Sequence, residues 1–357
     1  MKTIVAAILL AGWSLTPAVA AGDPPAFKAT TAALIADVVV PAHAAFTAAA
    51  QTEAGAVDAL CATPGTGTLA AARTGFAALV AAFGQVELYR FGPAREDNRV
   101  ERLFFWPDRR GRALRQVQGV LANEDETATS PETLTIKSVA LQGLPALEFA
   151  LFGTGSETLA ETAGFRCRYA ASIAQVIAAV AAAIEAEWRG PFAGLMTTAG
   201  PDNPAYRSDG EAFQDFLQAA AEQLELIGDH KIRAVIGERP EAAKPRLAPF
   251  WRADATVAAI IANLDGVEAL LTEDVAALLG DEAAMVGSAR NELDRAKEML
   301  RPLAADPRGF EAVAGDPHSH RRMVAARYAI DGARGIFAER MPAALGLISG
   351  FNSMDGD

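Results

Sequence analysis

The chain has 357 residues, 51% of them hydrophobic and 7% aromatic, with a formal net charge of -12 at pH 7. An excess of carboxylates excludes nucleic acid and anionic membrane surfaces as natural partners, because both reward clustered Lys and Arg. The alanine-rich apolar fraction favours helix over strand, and the length admits one large or two ordinary domains.

Residues 1–20 read as a signal peptide. Lys2 supplies the charged start, Ile4 to Leu15 an apolar run and Ala18-Val19-Ala20 a small-residue cleavage site. No cysteine follows that site, which argues against a lipid anchor. No later window of ~20 residues is free of charge, so the mature chain has no predicted transmembrane segment. The expected destination is the periplasm, as a soluble protein. Cys61 and Cys167 are the only cysteines. An even count in an oxidising compartment points to one disulfide. It would close a loop of about a hundred residues and stabilise by roughly 4–5 kcal/mol. Two buried free thiols are the alternative.

After a Gly22-Asp23-Pro24-Pro25 leader, apolar residues from Ala33 to Phe46 recur at three- and four-residue steps, as in a helix, with Pro41 a potential kink. His43 lies among alanines there and reads as a core or half-exposed histidine rather than a ligand. Residues 61–67 are a loop, and a second helix runs over residues 69–89 up to Gly92-Pro93. Glu87 and Arg90 are three apart and can share a face, as an ordinary ion pair or, between Tyr89 and Phe91, as a half-buried one. Phe104-Phe105-Trp106-Pro107-Asp108 is an aromatic cluster before a basic loop, a core anchor or a pocket wall. A further helix covers residues 112–121.

The stretch Leu141 to Gly153 is almost wholly apolar yet holds one carboxylate, Glu148. Pro145, close after Gly143, suits a helix start, where a missing N–H costs nothing. Glu148 then falls early in the helix, on the same face as Pro145. Burying its charge without a partner is costly, so it either escapes to water or meets a cation, a donor or a metal in a pocket. Residues 165–188 form a long helix containing Cys167. Residues 199–204, Ala-Gly-Pro-Asp-Asn-Pro, are the most linker-like stretch. They divide an N-terminal bundle (residues 21–198) from a C-terminal one (residues 205–357). Helices are expected at 211–235, 254–272, 273–279, 281–302 and 318–339. No segment shows convincing period-2 alternation. The fold class is all-α: two packed helical bundles, with matching helix ends at residues 89–93 and 233–237 hinting at an internal duplication.

Familiar catalytic patterns are missing: no HExxH zinc helix, no GxSxG elbow, no phosphate loop ending in Lys-Ser/Thr. His318 and His320 are the only close histidine pair, and at i, i+2 on a helix their rings diverge. What remains is Glu87, Arg90, Trp106 and Glu148. Glu148 paired with Arg90 would be structural. Glu148 facing Glu87 would make a hard, oxygen-rich cation site, or two carboxylates for acid–base work.

Four places in the sequence carry a resemblance: Arg90-Phe91-Gly92-Pro93; residues 104–108; Gly143-Leu144-Pro145-Ala146-Leu147-Glu148 with its continuation to Gly153; and the tail Gly350 to Asp357. Phe250-Trp251-Arg252 and Asn263-Leu264 fit the second half of the same pattern. By these the mature chain resembles the imelysin-like proteins of bacteria. The resemblance implies two helical bundles related by an internal repeat, with a pocket between or near them. It implies two functions of different class: a metallopeptidase using a GxHxxE motif, or a periplasmic component of iron uptake that binds without catalysis. Where that motif has histidine this chain has Pro145, which offers no ligand atom. The favoured expectation is therefore non-catalytic binding of a metal ion or small ligand connected with iron uptake, the cation being iron or another divalent or trivalent ion. Metallopeptidase activity and an envelope scaffold role are the alternatives. The expected pocket comprises Glu87, Arg90, Gly92, Pro93, Trp106, Gly143, Pro145 and Glu148, with Glu148 and Glu87 as metal ligands. Envelope iron-uptake components are the expected partners.

Overall fold

Alanine-rich runs with apolar faces at helical spacing form the whole framework. The computed structural model describes residues 25–108 and 110–347, and no strand occurs among them. Residues 1–20, which read as a signal peptide, and the tail from Gly350 lie outside the described residues. α1 (Pro25–Leu34) and α2 (Val40–Ala62) join through a π-helical segment, Ile35–Val39. Pro41 lacks the N–H that the helix ladder needs, and the widened turn before it absorbs the missing bond without ending the helix. α3 (Thr66–Val86), α4 (Arg112–Asn123), α5 (Gly143–Phe152) and α6 (Phe165–Arg189) complete the first half. α7 (Asp209–Glu225), α8 (Thr256–Glu268), α9 (Ala284–Ala304) and α10 (Pro317–Gly335) are the principal helices of the second.

In the first half α2 packs on both α3 and α6, and α5 lies against α6 and α3. In the second, α9 packs between α8 and α10, and α10 also meets α7. The halves are joined by α3 against α8, and α1 reaches across to pack on α7. One hydrophobic core therefore runs from Phe27 to Met341 without a break. A disulfide links Cys61, at the end of α2, to Cys167, in the first turn of α6. Helix starts in the second half are capped by side chains: Ser208 Oγ accepts from the Glu211 N–H, and Asp316 from the N–H groups of His318 and Ser319. Each such cap contributes about 1 kcal/mol.

Three helical stretches, Ala26–Ala62, Thr66–Val86 and Phe165–Thr197, are long and apolar enough by length and composition to cross a membrane. Alanine supplies much of that hydropathy, and in this fold α2, within the first stretch, packs on both of the others. Glu53 and Arg73 sit within two of them. His43 is a core residue, 2% exposed, with its ring against those of Tyr89 and Trp188. Burial lowers its pKa to about 4, so the ring is neutral.

Candidate functional site

Glu148 lies in the middle of α5 and is 3% exposed. Gly143 sets the helix in place: its φ is +74°, and a Cβ there would lie 2.2 Å from the Arg102 carbonyl oxygen. Only glycine lets the backbone pass so close in that conformation. The preceding Gln142 is fully buried. Its amide donates to the carbonyls of Leu134 and Lys137, and its oxygen accepts from Arg102. Pro145 stands in the first turn, where its missing N–H has no partner to lose.

The partner of Glu148 comes from the second half, in the tight turn Phe250 to Asp254. Phe250 (φ +59°) and Asp254 (φ +53°) are both in the left-handed region, which costs non-glycine residues on the order of 1 kcal/mol each. The turn is pinned at both ends. Thr256 Oγ1 donates to the Pro249 carbonyl at 2.6 Å, and Asp254 Oδ1 accepts from the Phe310 N–H at 2.9 Å. This geometry aims two successive N–H groups, of Arg252 (2.8 Å) and Ala253 (3.2 Å), at Glu148 Oε1, a small anion-binding nest. The Arg252 guanidinium stacks between the rings of Trp251 (4.3 Å) and Phe149 (5.2 Å), with Nη1 3.9 Å from Glu148 Oε2. Burial pushes the Glu148 carboxyl up to about 7, against the downward pull of the guanidinium and the two N–H groups. Burial likewise lowers the Arg252 pKa, which Glu148 opposes. Oε2 accepts no hydrogen bond among the described residues.

Glu148 and Arg252 form part of the wall of a cavity of ≈ 310 Å³. Phe105, Trp106, Phe149 and Trp251 give it an aromatic lining, and Pro145 faces it. Asp108 and His230 also line it, but Asp108 is committed to capping α4, accepting from the N–H groups of Arg112, Ala113 and Leu114. Trp106 Nε1 donates to the Leu247 carbonyl at 3.0 Å, fastening the aromatic segment to the chain that closes the cavity.

The other expected pocket residues fall elsewhere. Glu87 is fully inside the protein, where its Oε2 accepts from Lys231 Nζ (2.6 Å) and Asn263 Nδ2 (2.9 Å). Lys231 also donates to Asn263 Oδ1 at 2.8 Å, and its ammonium stands 5.5 Å from the centre of the Phe104 ring. Burial lowers the Lys231 pKa, and Glu87 resists that shift. Glu87 thus pairs with Lys231 rather than with Arg90, and Glu148 meets Arg252 rather than Arg90. Arg90 and Gly92 line a second cleft, of ≈ 870 Å³, which shares Trp106 with the first cavity. Gly92 (φ +54°) has the Phe192 ring where a Cβ would be, and Pro93 is buried behind it with its carbonyl accepting from Arg99.

The residues that sequence reasoning passed over are Lys231 and the Arg252–Ala253 backbone. Lys231 and His230 lie in a π-helical segment, Leu226–Arg233, which continues α7. Such widened turns redirect side chains and frequently occur at functional sites. Here one segment sends Lys231 into the core and His230 to the first cavity. Asn263 and Arg252 stand in stretches that the family pattern had marked.

As a metal centre the donor set does not fit. Glu87 and Glu148 line different cavities, each already facing a basic side chain. Among the described residues no group of three or more His, Cys, Asp or Glu is placed to hold an ion, and Pro145 adds no ligand atom. The arrangement suits a molecule instead: an apolar, aromatic hollow with a carboxylate and a guanidinium at one wall.

No curated protein matches the sequence. Solved structures that share the fold include the following two. An imelysin-like protein from Psychrobacter arcticum 273-4 is 20% identical, with a TM-score of 0.74 over 91% of this chain and 97% of its own. A putative iron-regulated protein A precursor from Parabacteroides distasonis ATCC 8503 is 15% identical, with a TM-score of 0.69 over 89% of this chain and 97% of its own. The family model Peptidase_M75: Imelysin matches residues 39–334, a span that includes both halves of the core, α5 with Glu148 and the turn that delivers Arg252. The chain belongs to the imelysin family.

Proposed function

We propose that this protein is an exported, periplasmic binding protein, without catalytic activity, whose cavity at Glu148 takes a small organic ligand in connection with iron uptake. The observation that carries the reading is the unfilled Oε2 of Glu148, set beside the Arg252 guanidinium in an aromatic hollow of ≈ 310 Å³. That volume lies at the lower end of small-molecule pockets, ~300–1,000 Å³. It is far more than a bare ion needs. Iron, as cargo, enters as a chelate whose organic part meets the aromatic walls and whose polar groups meet Glu148 and Arg252. The link to iron is supported by family membership and by the similar structure described as an iron-regulated protein precursor. Export is supported by the charged, apolar and small-residue order of residues 1–20.

The test is equilibrium dialysis of the mature protein, with its disulfide intact, against ferrous iron, zinc and ferric citrate, followed by metal analysis. Retention from ferric citrate alone, lost in Glu148→Gln and Arg252→Ala, is the expected result. Stoichiometric uptake of the bare ions, or no uptake at all, would overturn the reading. The family's peptidase description motivates a second assay, digestion of casein with and without chelator. We expect no cleavage; chelator-sensitive cleavage that disappears in Glu148→Ala would establish the metallopeptidase alternative. An envelope scaffold role would show instead as a specific partner recovered from envelope extracts with both ligand assays negative.

A further inference from the structure

The cleft of ≈ 870 Å³ between the Arg90 segment and α7 lies outside the Glu148 site and has two unsatisfied groups of its own. The first is Gln223. Its side chain is 1% exposed, and neither its amide nitrogen nor its amide oxygen has a hydrogen-bond partner. An amide buried in this way is costly unless something else completes it. The second is Arg90, half-buried at the cleft wall, whose guanidinium makes no hydrogen bond or ion pair among the described residues. Glu87 is bonded to Lys231 rather than to Arg90, so Arg90 presents its charge to the cleft, whose lining also includes Arg95 and Glu101.

The opposite side of the cleft is acidic. Asp215 Oδ2 accepts from the Tyr206 hydroxyl at 2.7 Å, and Arg95, also in the lining, acts on Asp215 electrostatically. Glu211 stands one turn away on the same helix, one of its carboxylate oxygens accepting from the Arg207 N–H. Phe192 and Tyr206, whose rings are in edge contact at 6.3 Å, add aromatic surface to the cleft lining. We propose that this cleft is a second binding site, for a short peptide with free termini. A peptide unit offers one donor and one acceptor, the complement of the two empty valences of Gln223. A terminal carboxylate suits the guanidinium of Arg90, and the terminal ammonium suits Asp215 and Glu211. The cleft falls in the size range of small-ligand pockets, ~300–1,000 Å³. The site is independent of the ligand taken at Glu148.

Isothermal titration calorimetry of the mature protein with trialanine tests this, using N-acetylated and C-amidated trialanine as controls. Trialanine is expected to bind, and amidating its C-terminus is expected to weaken binding at least tenfold. Arg90→Gln should remove that preference between acid and amide. Gln223→Leu should melt at the same or a higher temperature than the parent and bind at least tenfold more weakly. No heat at millimolar trialanine, equal binding of the acid and amide forms, or an acid preference that survives in Arg90→Gln would each overturn the proposal. The comparison of free with blocked peptides needs only the unmodified protein, so a variant that fails to fold leaves the test intact.

Discussion

The Lys231–Glu87 pair permits a demanding test of the inter-half core. Nζ and Oε2 are 2.6 Å apart, and the two side chains are 0% and 2% exposed. Lys231→Met keeps most of the apolar stem and removes the ammonium, with its hydrogen bonds to Glu87 and Asn263. Glu87 is then left with Asn263 Nδ2 at 2.9 Å on Oε2 and, as before, no partner on Oε1. Stripping one member from a buried pair typically costs about 3–5 kcal/mol, because the survivor is left buried and uncompensated. Glu87→Leu alone should cost as much, leaving Lys231 with Asn263 Oδ1 as its remaining acceptor. The double variant removes both charges and should lie within about 2 kcal/mol of the parent, since an apolar pair of similar volume is often neutral or better. The measurement is urea unfolding at pH 7.5 with the disulfide intact, read as a double-mutant cycle. Single variants costing under 1 kcal/mol, or effects that simply add in the double variant, would refute the reasoning.

Other expectations rest on the same physics. Burial raises the Glu148 carboxyl from its ordinary 4.5 to about 7, so the folded state holds a proton that the unfolded chain has released between those values. Its contribution is therefore fully present below 4.5, falls as the pH climbs through 7 and is flat beyond, an effect of roughly 3 kcal/mol at most. Urea titrations from pH 4 to 9 should show that slope and should lose it in Glu148→Gln. Glu53 is buried between α2 and α3 with both oxygens unpartnered, and burial takes it from 4.5 to about 9. Its contribution likewise falls across that wider window, so Glu53→Met should stabilise the protein by a few kcal/mol at pH 8 and by little at pH 5; a uniform gain at both pH values would contradict this assignment. Gly143→Ala forces a Cβ to within 2.2 Å of a carbonyl oxygen at positive φ, and should destabilise by at least ~2 kcal/mol in the same assay. Reducing Cys61–Cys167, which are 106 residues apart, should cost about 4–5 kcal/mol, measured as a drop in urea midpoint with added dithiol.

Most of the architecture was legible because it is written locally. Apolar spacing and glycine–proline punctuation located α3, α5, α6 and α9 within a few residues. Three features escaped local reading. The π-helical segments arise from how a helix is accommodated at Pro41 and at the inter-half core, and no propensity records them. The pairing of Glu87 with Lys231 spans 144 residues, and that of Glu148 with the Arg252 N–H spans 104. A sequence can say that a buried carboxylate needs a partner, as it did for Glu148, but not which distant residue the packing delivers. Lys231 gave no warning either, since a lysine between His230 and Ile232 on a helix reads as a solvated one.

The placement of these partners bears on what the site can do. Glu148 is contributed by α5, but its two N–H donors and its guanidinium come from a turn beyond α7, so the carboxylate is completed only when α8 has docked on α3. The same docking brings Lys231 to Glu87 and sets His230 at the cavity wall from one π-helical segment. A free carboxylate waiting for a metal would be held by groups that leave its lone pairs open. Here Oε1 is filled by backbone donors and Oε2 stands 3.9 Å from a guanidinium that is itself clamped between two rings. A cation entering at Oε2 would meet the charge of Arg252 at close range, whereas a ligand bearing its own donor and acceptor would find both complemented. The electrostatics of this wall therefore favour a molecule over an ion.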